Sequence, residues 1–300
     1  MTHANSTIIR GLLWAGVAIL IWSGALVMLR LGVTTGLTAY DLTALRFSVA
    51  GILLLPILLR KDQATPALGL TGILVLVVLF GAPFVLLLSV AMQTAPASAA
   101  GALNPGVMTI SSVLMARWIE RERLTKGRLM GIALVAGGVA AAVLADGITA
   151  GHVILMLTGV MWTGYGIFLR TRRVPALYAT AVVAVGSAVI YLPIYLLALP
   201  KGITTAPIAD VVTQALVQGV LVTTIAVYAF GRSVELLGRV AGTSLPALIP
   251  VVTLGLSVLI LGDKPHLPEI LGACLVTLGI ATVIAGPKLA SILEARRSCH

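Results

Sequence analysis

The chain has 300 residues, of which 59% are hydrophobic and only 10% are charged. Because an average soluble domain has about 25% charged residues, this composition excludes a water-soluble protein and indicates one that is surrounded by lipid. The formal net charge of +10 then describes which side of a membrane the lysines and arginines occupy, and it does not indicate a nucleic-acid partner.

Apolar segments long enough to cross a bilayer follow one another along the whole chain. A span needs about 20 apolar residues. Charged residues separate most of the segments, and a turn signal at 94–98 divides the long charge-free run 63–116. The sequence therefore predicts an all-α integral membrane protein with ten transmembrane helices. In chain order they are predicted at 9–30, 38–59, 68–92, 97–117, 126–145, 150–170, 175–198, 209–231, 239–261 and 266–286.

Most of the 20 lysines and arginines lie on one side of the predicted membrane. They precede the first helix, follow the last, or occupy the loops after helices 2, 4, 6 and 8. By the positive-inside rule, both termini are predicted to be cytoplasmic, in a multi-pass protein of the cell inner (plasma) membrane. The stretch 11–29 is too long for the core of a signal peptide, so it is predicted to be a retained first helix.

The second half of the sequence repeats the first. An offset of 140 residues superposes helix 1 on helix 6, and an offset of 141 superposes helices 4 and 5 on helices 9 and 10. The predicted units are therefore 1–145 and 146–300, with five helices each. The matched pairs include Trp22 with Trp162, Gly24 with Gly164, Arg30 with Arg170, Pro105 with Pro246, Gly131 with Gly272, and Gly138 with Gly279.

The number of crossings in each unit determines how the two copies are oriented. Because five is odd, the second copy enters the membrane with reversed topology, which predicts an inverted repeat. Inverted repeats are typical of transporters, in which a site near the midplane between the copies opens to either side in turn. The alternative is that the duplication only builds a large membrane protein.

Several motifs resemble those of one transporter family. They are Trp22-Ser-Gly in helix 1, Leu45-Arg46-Phe47 in helix 2, Ala100-Gly101 followed by Pro105 in helix 4, and Glu122-Arg-Leu-Thr followed by Gly131 and Gly138 in helix 5. Over nearly its whole length the chain resembles the EamA family of the drug/metabolite transporter superfamily, and within it most of all the YddG-type exporters. This resemblance implies export of aromatic amino acids or of hydrophobic amphiphiles such as methyl viologen. The second copy departs from the pattern at Asp263-Lys264-Pro265-His266 and at Val183, which corresponds to Arg46.

Polar and aromatic residues about halfway along the helices are the candidates for a substrate site. Trp22 and Trp162 each precede a hydroxyl residue and a glycine, which favours a cavity wall, although tryptophan also occupies interfacial belts. Proline inside a helix frees a carbonyl group that lipid cannot satisfy, so Pro105 and Pro246 should face a cavity unless they only shape their helices. The Gly-Ala-Pro-Phe segment at 81–84 predicts a break in helix 3. The predicted substrate-binding residues are Trp22, Ser23, Phe80, Phe84, Asn104, Pro105, Trp162, Thr163, Tyr165, Tyr228, Ser244 and Pro246.

Arg46 is the charged residue that lies farthest from both membrane surfaces. At about 1.5 Å per residue from the predicted start of its helix, it lies about 12 Å deep, where an unpaired guanidinium is costly. It could attract a substrate carboxylate, cap the carbonyl groups of a broken helix, or pair with Asp41. The aspartates and glutamates all fall near helix ends or in loops, which favours uncoupled facilitated diffusion over the alternative, a proton-coupled exporter of drugs or amphiphiles.

Other functions lack the residues that they need. A carrier of phosphorylated solutes needs several lysines or arginines in its cavity, and only Arg46 is available. The sequence contains no Gly-x-Ser-x-Gly or His-Glu-x-x-His motif, so no enzyme activity, cofactor or metal site is predicted. Cys274 and Cys299 are not predicted to form a disulfide. A lipid scramblase or a scaffold needs no motif and stays open.

The predicted partners are a small-molecule substrate, an amino acid or an amphiphile, and the lipid bilayer, with no nucleic acid. Whether the protein is a monomer or a homodimer is not determined. Glycines of helix 5, at 127, 131, 137 and 138, could mediate dimerisation, but packing between helices of one chain is the favoured interpretation.

Overall fold

The computed structural model describes residues 2–60, 68–119, 124–145, 147–237 and 245–297, which form helices and no strand. The first repeat contains α1 (Thr2–Thr35), α2 (Ala39–Leu59), α3 (Gly69–Phe80), α4 (Ala82–Ala91), α5 (Ala97–Ile119) and α6 (Lys126–Ala145). The second contains α7 (Ala150–Arg172), α8 (Ala176–Ala198), α9 (Ile208–Gln214), a π-helix (Ala215–Ile225), α10 (Ala226–Leu237), a 3-10 turn (Leu245–Leu248), α11 (Ile249–Leu261) and α12 (Leu267–Arg297).

The predicted helices correspond to these elements. Within the described ranges, nine helical segments are long and apolar enough to cross a membrane, and a shorter apolar segment, Pro246–Leu261, occupies the position of the predicted ninth helix. The first six residues of that prediction, 239–244, lie outside the described residues. Helix α1 extends beyond the predicted helix 1 at both ends. Helix α12 extends beyond the predicted helix 10 at its C-terminal end.

The third span is broken at Gly81, as the sequence predicts. The Gly81 N–H donates to Val77 O at 2.8 Å, and the next N–H, that of Ala82, donates to Ser187 Oγ of α8 at 3.0 Å. A Cβ on Gly81 would lie only 2.2 Å from the same Ser187 Oγ. Glycine is therefore needed here because the break is packed directly against α8.

The eighth span contains a π-helix that the sequence analysis did not predict. Between α9 and α10 the chain runs as a π-helix over Ala215–Ile225. A Cβ on Gly219 in this segment would lie 2.5 Å from Val49 Cβ, so the π-helix packs tightly against α2. Segments of π-helix are rare and often occur at functional sites.

Contacts between the repeats follow the predicted inverted arrangement. The helix α6 packs against its repeat mate α12, and α2 packs against its repeat mate α8. The remaining contacts occur in matched sets: α1 packs on α10 and α11, whereas its mate α7 packs on α3, α4 and α5. This pattern is that of two copies related by an approximate two-fold axis.

Glycines bring α6 and α12 into backbone contact. A Cβ on Gly138 would lie 2.7 Å from Gly272 O, and a Cβ on Gly279 would lie 2.8 Å from Gly131 O. These are the glycines that the repeat matched in pairs. Small residues allow such close approach in membrane helices, so Gly131 and Gly138 pack helices within one chain, as the sequence analysis favoured.

Hydrogen bonds between helix ends identify one face of the bundle. Tyr195 OH, at the end of α8, donates to Asp41 Oδ1 at the start of α2 at 2.6 Å. Gly151 N, at the start of α7, donates to Thr94 Oγ1 after the end of α4 at 3.0 Å. We call this side the Asp41 face. The opposite side, which contains Arg60, Arg117, Arg128, Arg172 and Arg232, is the basic face. The cytoplasmic position of the basic face and of both termini stays a prediction.

Candidate functional site

A cavity between the two repeats has two adjoining lobes. The Arg46 lobe, of about 140 Å³, is lined by Arg46, Phe84, Leu88 and Asn104 among others. The Tyr165 lobe, of about 450 Å³, is lined by Tyr165, Met108, Leu169, Phe230 and Pro246 among others. The two lobes share the wall residues Trp22, Phe80, Pro105, Trp162, Thr180, Val227 and Ile249.

Aromatic rings form much of the shared wall. Phe80, which precedes the break at Gly81, is stacked on Tyr165 with ring centroids 4.4 Å apart and an interplanar angle of 12°. The centroid of Phe80 also lies 5.8 Å from that of Trp162, and Trp22 lies 5.3 Å from Phe230. The two tryptophans thus line the cavity. Offset aromatic stacks give large, rigid apolar surfaces, which suit the body of an apolar or aromatic solute.

Arg46 is buried, with 9% of its surface exposed, and it lines the smaller lobe. Its Nη1 faces Gln218 Oε1 of the π-helix at 3.5 Å, the upper limit for a hydrogen bond, and its Nε has no partner in the part of the chain that the structure describes. Gln218 is in turn held by α1, because its Nε2 donates to Ala25 O at 3.1 Å. A buried guanidinium with a single long contact is destabilising by several kcal/mol.

Asp41 is not the partner of Arg46. Its carboxylate is fully buried and accepts hydrogen bonds from Thr38 N at 2.7 Å, Thr38 Oγ1 at 2.7 Å, Tyr195 OH at 2.6 Å and Gly202 N at 2.9 Å. The bonds with Thr38 form a capping box at the start of α2. Asp41 therefore ties α2 to the end of α8 and the following loop, and the hypothesis that it neutralises Arg46 is wrong.

Asn104 and Pro105 lie side by side in the wall formed by α5. Asn104 is 3% exposed; its Nδ2 donates to Thr158 Oγ1 at 2.9 Å, and its Oδ1 has no partner within the described ranges. Pro105 borders both lobes. Its carbonyl oxygen accepts from Thr109 Oγ1 of the same helix at 2.8 Å.

Three predicted site residues lie away from the lining. Ser23 and Thr163 are buried behind the wall, where Ser23 Oγ faces Ile249 O at 3.5 Å and Thr163 Oγ1 donates to Met108 O at 3.1 Å. Both join neighbouring helices. Tyr228 is 59% exposed and its ring packs edge-on against Trp14 at 5.6 Å, so this side chain points away from the cavity. Ser244 lies outside the described residues.

The sequence analysis missed several polar groups near the cavity. Thr180 and Thr223 line it, and Gln218 holds the arginine. Two threonines among many in apolar helices give no signal, because a threonine can bond to its own helix. Gln214 and Gln218 did give one: glutamine is costly inside a membrane span and marks a polar contact between helices.

The described lining of the cavity has few charged groups. Among the described residues that line it, Arg46 is charged and none is Asp or Glu. No group of three potential metal-binding side chains exists within the described parts of the chain. Such a wall suits an apolar body and an anionic or zwitterionic group, but it offers too few cations for a phosphorylated solute.

The cavity extends towards the basic face. Leu169, Ala176 and Ile284 line the Tyr165 lobe, and the first two flank the basic segment 170–173. At the other end, Leu29 and Leu88 line the Arg46 lobe, and the adjacent Arg30 donates through Nη1 to Met92 O, which joins the ends of α1 and α4. Polar bonds therefore join helix ends at the Asp41 face, beyond the Arg46 lobe.

Comparisons with known proteins agree with the duplicated architecture. The sequence model of the EamA-like transporter family matches the chain twice, at residues 9–144 and 149–285. No curated protein matches the sequence significantly. Among 26 matching chains of solved structures, one crystal structure shares 20% sequence identity and superposes with a TM-score of 0.58, covering 92% of this chain and 95% of its own. At that identity, the likeness shows the fold alone.

Proposed function

Because the chain belongs to the EamA-like transporter family, we propose that it exports neutral or zwitterionic metabolites, in particular aromatic or other hydrophobic amino acids. The observation that carries this proposal is the cavity between the repeats, where stacked aromatic rings adjoin one buried cation, Arg46. The rings accept the apolar body of such a solute. Arg46 binds its carboxylate, because burial of this charge in a purely apolar cavity would be too unfavourable.

The direction of loading follows from the charge distribution. With the basic face in the cytoplasm of a cell with an inner membrane, the Tyr165 lobe receives solute from the cytoplasm. Rearrangement of the two repeats around the shared wall then closes that end and opens the Asp41 face. Alternating access of this kind is what two inverted copies permit.

Transport is proposed to be facilitated diffusion without a coupling ion. Proton-coupled carriers generally use a titrating acid within the membrane. The described lining contains no carboxylate, and the buried Asp41 is occupied by Thr38, Tyr195 and Gly202. A solute would therefore move down its own gradient.

Counterflow of labelled amino acids into proteoliposomes tests this proposal, with and without an imposed pH gradient. We expect exchange of labelled phenylalanine or tryptophan that does not require the gradient, and strong loss of exchange in Trp22→Ala and Trp162→Ala. Strict dependence on the pH gradient would contradict the uncoupled mechanism. Unchanged exchange in both variants would remove the tryptophans from the site.

Two alternatives predict other outcomes of the same preparation. A proton-coupled exporter of drugs or amphiphiles is favoured by the apolar lining, and it would accumulate an amphiphile only when the pH gradient is present. A lipid scramblase would instead move fluorescent lipids between leaflets, and a scaffold would transport nothing. Export of a cationic drug is disfavoured because Arg46, the charged group in the lining, repels it.

A further inference from the structure

Two buried polar atoms that have no hydrogen-bond partner among the described residues border the same lobe of the cavity. One is a donor, Arg46 Nε, and the other is an acceptor, Asn104 Oδ1. The two residues are 9% and 3% exposed. Because nearly all buried polar groups in proteins are paired, an unpaired donor and an unpaired acceptor in one cavity wall indicate groups that a ligand completes.

The hydrogen bonds behind Asn104 determine which end of its amide faces the cavity. Thr158 Oγ1 donates its single proton to Leu155 O at 2.8 Å. It can therefore only accept from Asn104, whose Nδ2 lies 2.9 Å away. The amide nitrogen of Asn104 is therefore bound to α7. Its carbonyl oxygen is the group that can accept a hydrogen bond from a ligand.

Arg46 is positioned in a comparable way from the opposite side. Gln218 accepts from Nη1 through Oε1 and is itself fixed by its bond to Ala25 O. The guanidinium is thus turned with one edge towards the π-helix, while Nε stays unpaired. A carboxylate would neutralise the charge and satisfy this donor, and no described acid in the lining does so.

We propose that Arg46 and Asn104 form a two-point subsite that binds the head of the substrate. Arg46 binds its carboxylate, and Asn104 Oδ1 accepts a hydrogen bond from its ammonium group. The apolar body then lies on the rings of Phe80 and Trp162 and extends into the Tyr165 lobe. This inference rests on the proposed function, and it adds which groups of the solute are recognised and by which residues.

The charge balance of the subsite makes its selectivity asymmetric. Arg46 is a full positive charge, whereas Asn104 contributes only a neutral amide oxygen. A carboxylate without an ammonium group therefore still binds, whereas an ammonium group without a carboxylate is repelled. Both residues belong to the first repeat, and the mate of Arg46 is Val183, so the second repeat supplies no equivalent charge.

Three ligands with the same phenyl body test the two points separately. They are L-phenylalanine, 3-phenylpropionate, which lacks the ammonium group, and phenethylamine, which lacks the carboxylate. Binding to the purified full-length protein is measured by quenching of tryptophan fluorescence, and counterflow is measured in proteoliposomes. We expect phenylalanine to bind best, phenylpropionate to bind several-fold more weakly, and phenethylamine to bind at least about tenfold more weakly.

Two variants test which residue binds the carboxylate and which binds the ammonium group. Arg46→Gln should weaken the binding of phenylalanine and phenylpropionate at least about tenfold. It should strengthen the binding of phenethylamine, because the charge that repels its ammonium group is removed. Asn104→Ala should weaken phenylalanine several-fold and leave phenylpropionate unchanged. The matched control is Ser89→Ala, since Ser89 is also fully buried but donates to Val85 O of its own helix and is not part of the lining. A purely structural role for either residue would weaken all three ligands alike.

The outcomes separate this inference from the proposed function. Binding with the expected preferences but without counterflow would overturn the proposed transport and support the subsite. Counterflow of phenylalanine that phenethylamine inhibits equally well would support transport and overturn the subsite. Absence of binding by both carboxylate ligands also overturns it. If Arg46→Gln does not fold, the ligand preferences of the natural protein and of Asn104→Ala still test the subsite.

Discussion

At the two ends of the cavity, different kinds of contact join the helices. At the Asp41 face, polar bonds join the repeats: Asp41 binds Tyr195 and Gly202, and Gln214 Nε2 donates to Met28 O at 2.6 Å. Towards the basic face, the wall of the larger lobe is formed by apolar side chains such as Leu169 and Ile284. In the proposed transport cycle, these bonds must break before the solute can leave at the Asp41 face.

The repeat cannot reproduce these bonds at the other end. With the offset of 137 that matches Pro56 to Pro193, the start of α2 corresponds to the start of α8, and Asp41 corresponds to Tyr178. A tyrosine cannot accept the set of bonds that the carboxylate accepts. The two copies therefore differ in the bonds at these helix ends. In the proposed transport cycle, the bonds of Asp41 favour the state in which the Asp41 face is closed.

The largest expected effect on this difference comes from Asp41→Ala. The change leaves the N–H of Gly202 and the OH of Tyr195 without their acceptor, which should weaken the closed state by about 3 kcal/mol, or about a hundredfold in population. Spin labels on the exposed Thr35 and Thr204 would report a longer distance between α1 and the loop after α8. An unchanged distance distribution would contradict the role of Asp41 as the gate bond.

A smaller effect is expected from Tyr195→Phe, which removes one bond to the carboxylate. Hydrogen bonds to charged groups contribute about 1.5 to 3 kcal/mol, so the same spin-label pair should show roughly a tenfold shift towards opening. The matched control is Tyr191→Phe, because Tyr191 OH donates at 3.1 Å to a neutral acceptor, Tyr40 O. Equal shifts in the two variants would show that the charge of Asp41 is not what strengthens the gate.

The smallest effect is expected from Ser98→Ala. Ser98 Oγ donates to Glu269 Oε2 at 2.7 Å and joins the starts of α5 and α12 on the Asp41 face, away from α2 and α8. Its loss should lower stability by about 1 kcal/mol. We expect the thermal unfolding midpoint in detergent to fall by a few degrees with no change in the spin-label distance. A shift as large as that of Tyr195→Phe would instead place this bond in the gate.

Local sequence signals were sufficient for some parts of the candidate site. The break at Gly81 follows from glycine and proline within an apolar run, and the placement of Trp22 and Trp162 follows from their equivalence in the repeat. Other parts depend on which way a side chain points around its helix. Tyr228 is as aromatic as Tyr165, yet it contacts Trp14 on the outside. An aromatic side chain in a span can face either lipid or protein, so the residue type alone does not show its direction.

The sequence by itself determined the membrane environment, the approximate helix positions and the duplication, because these depend on hydrophobicity, charge and spacing along the chain. The glycine pairs of α6 and α12 could also be identified from the sequence, since only small residues permit backbone contact. The tertiary structure decided the partners of the buried polar groups. Asp41 binds Tyr195, and Arg46 faces Gln218, across sequence separations of 154 and 172 residues. Such pairs depend on helix rotation and register, which hydrophobicity does not encode.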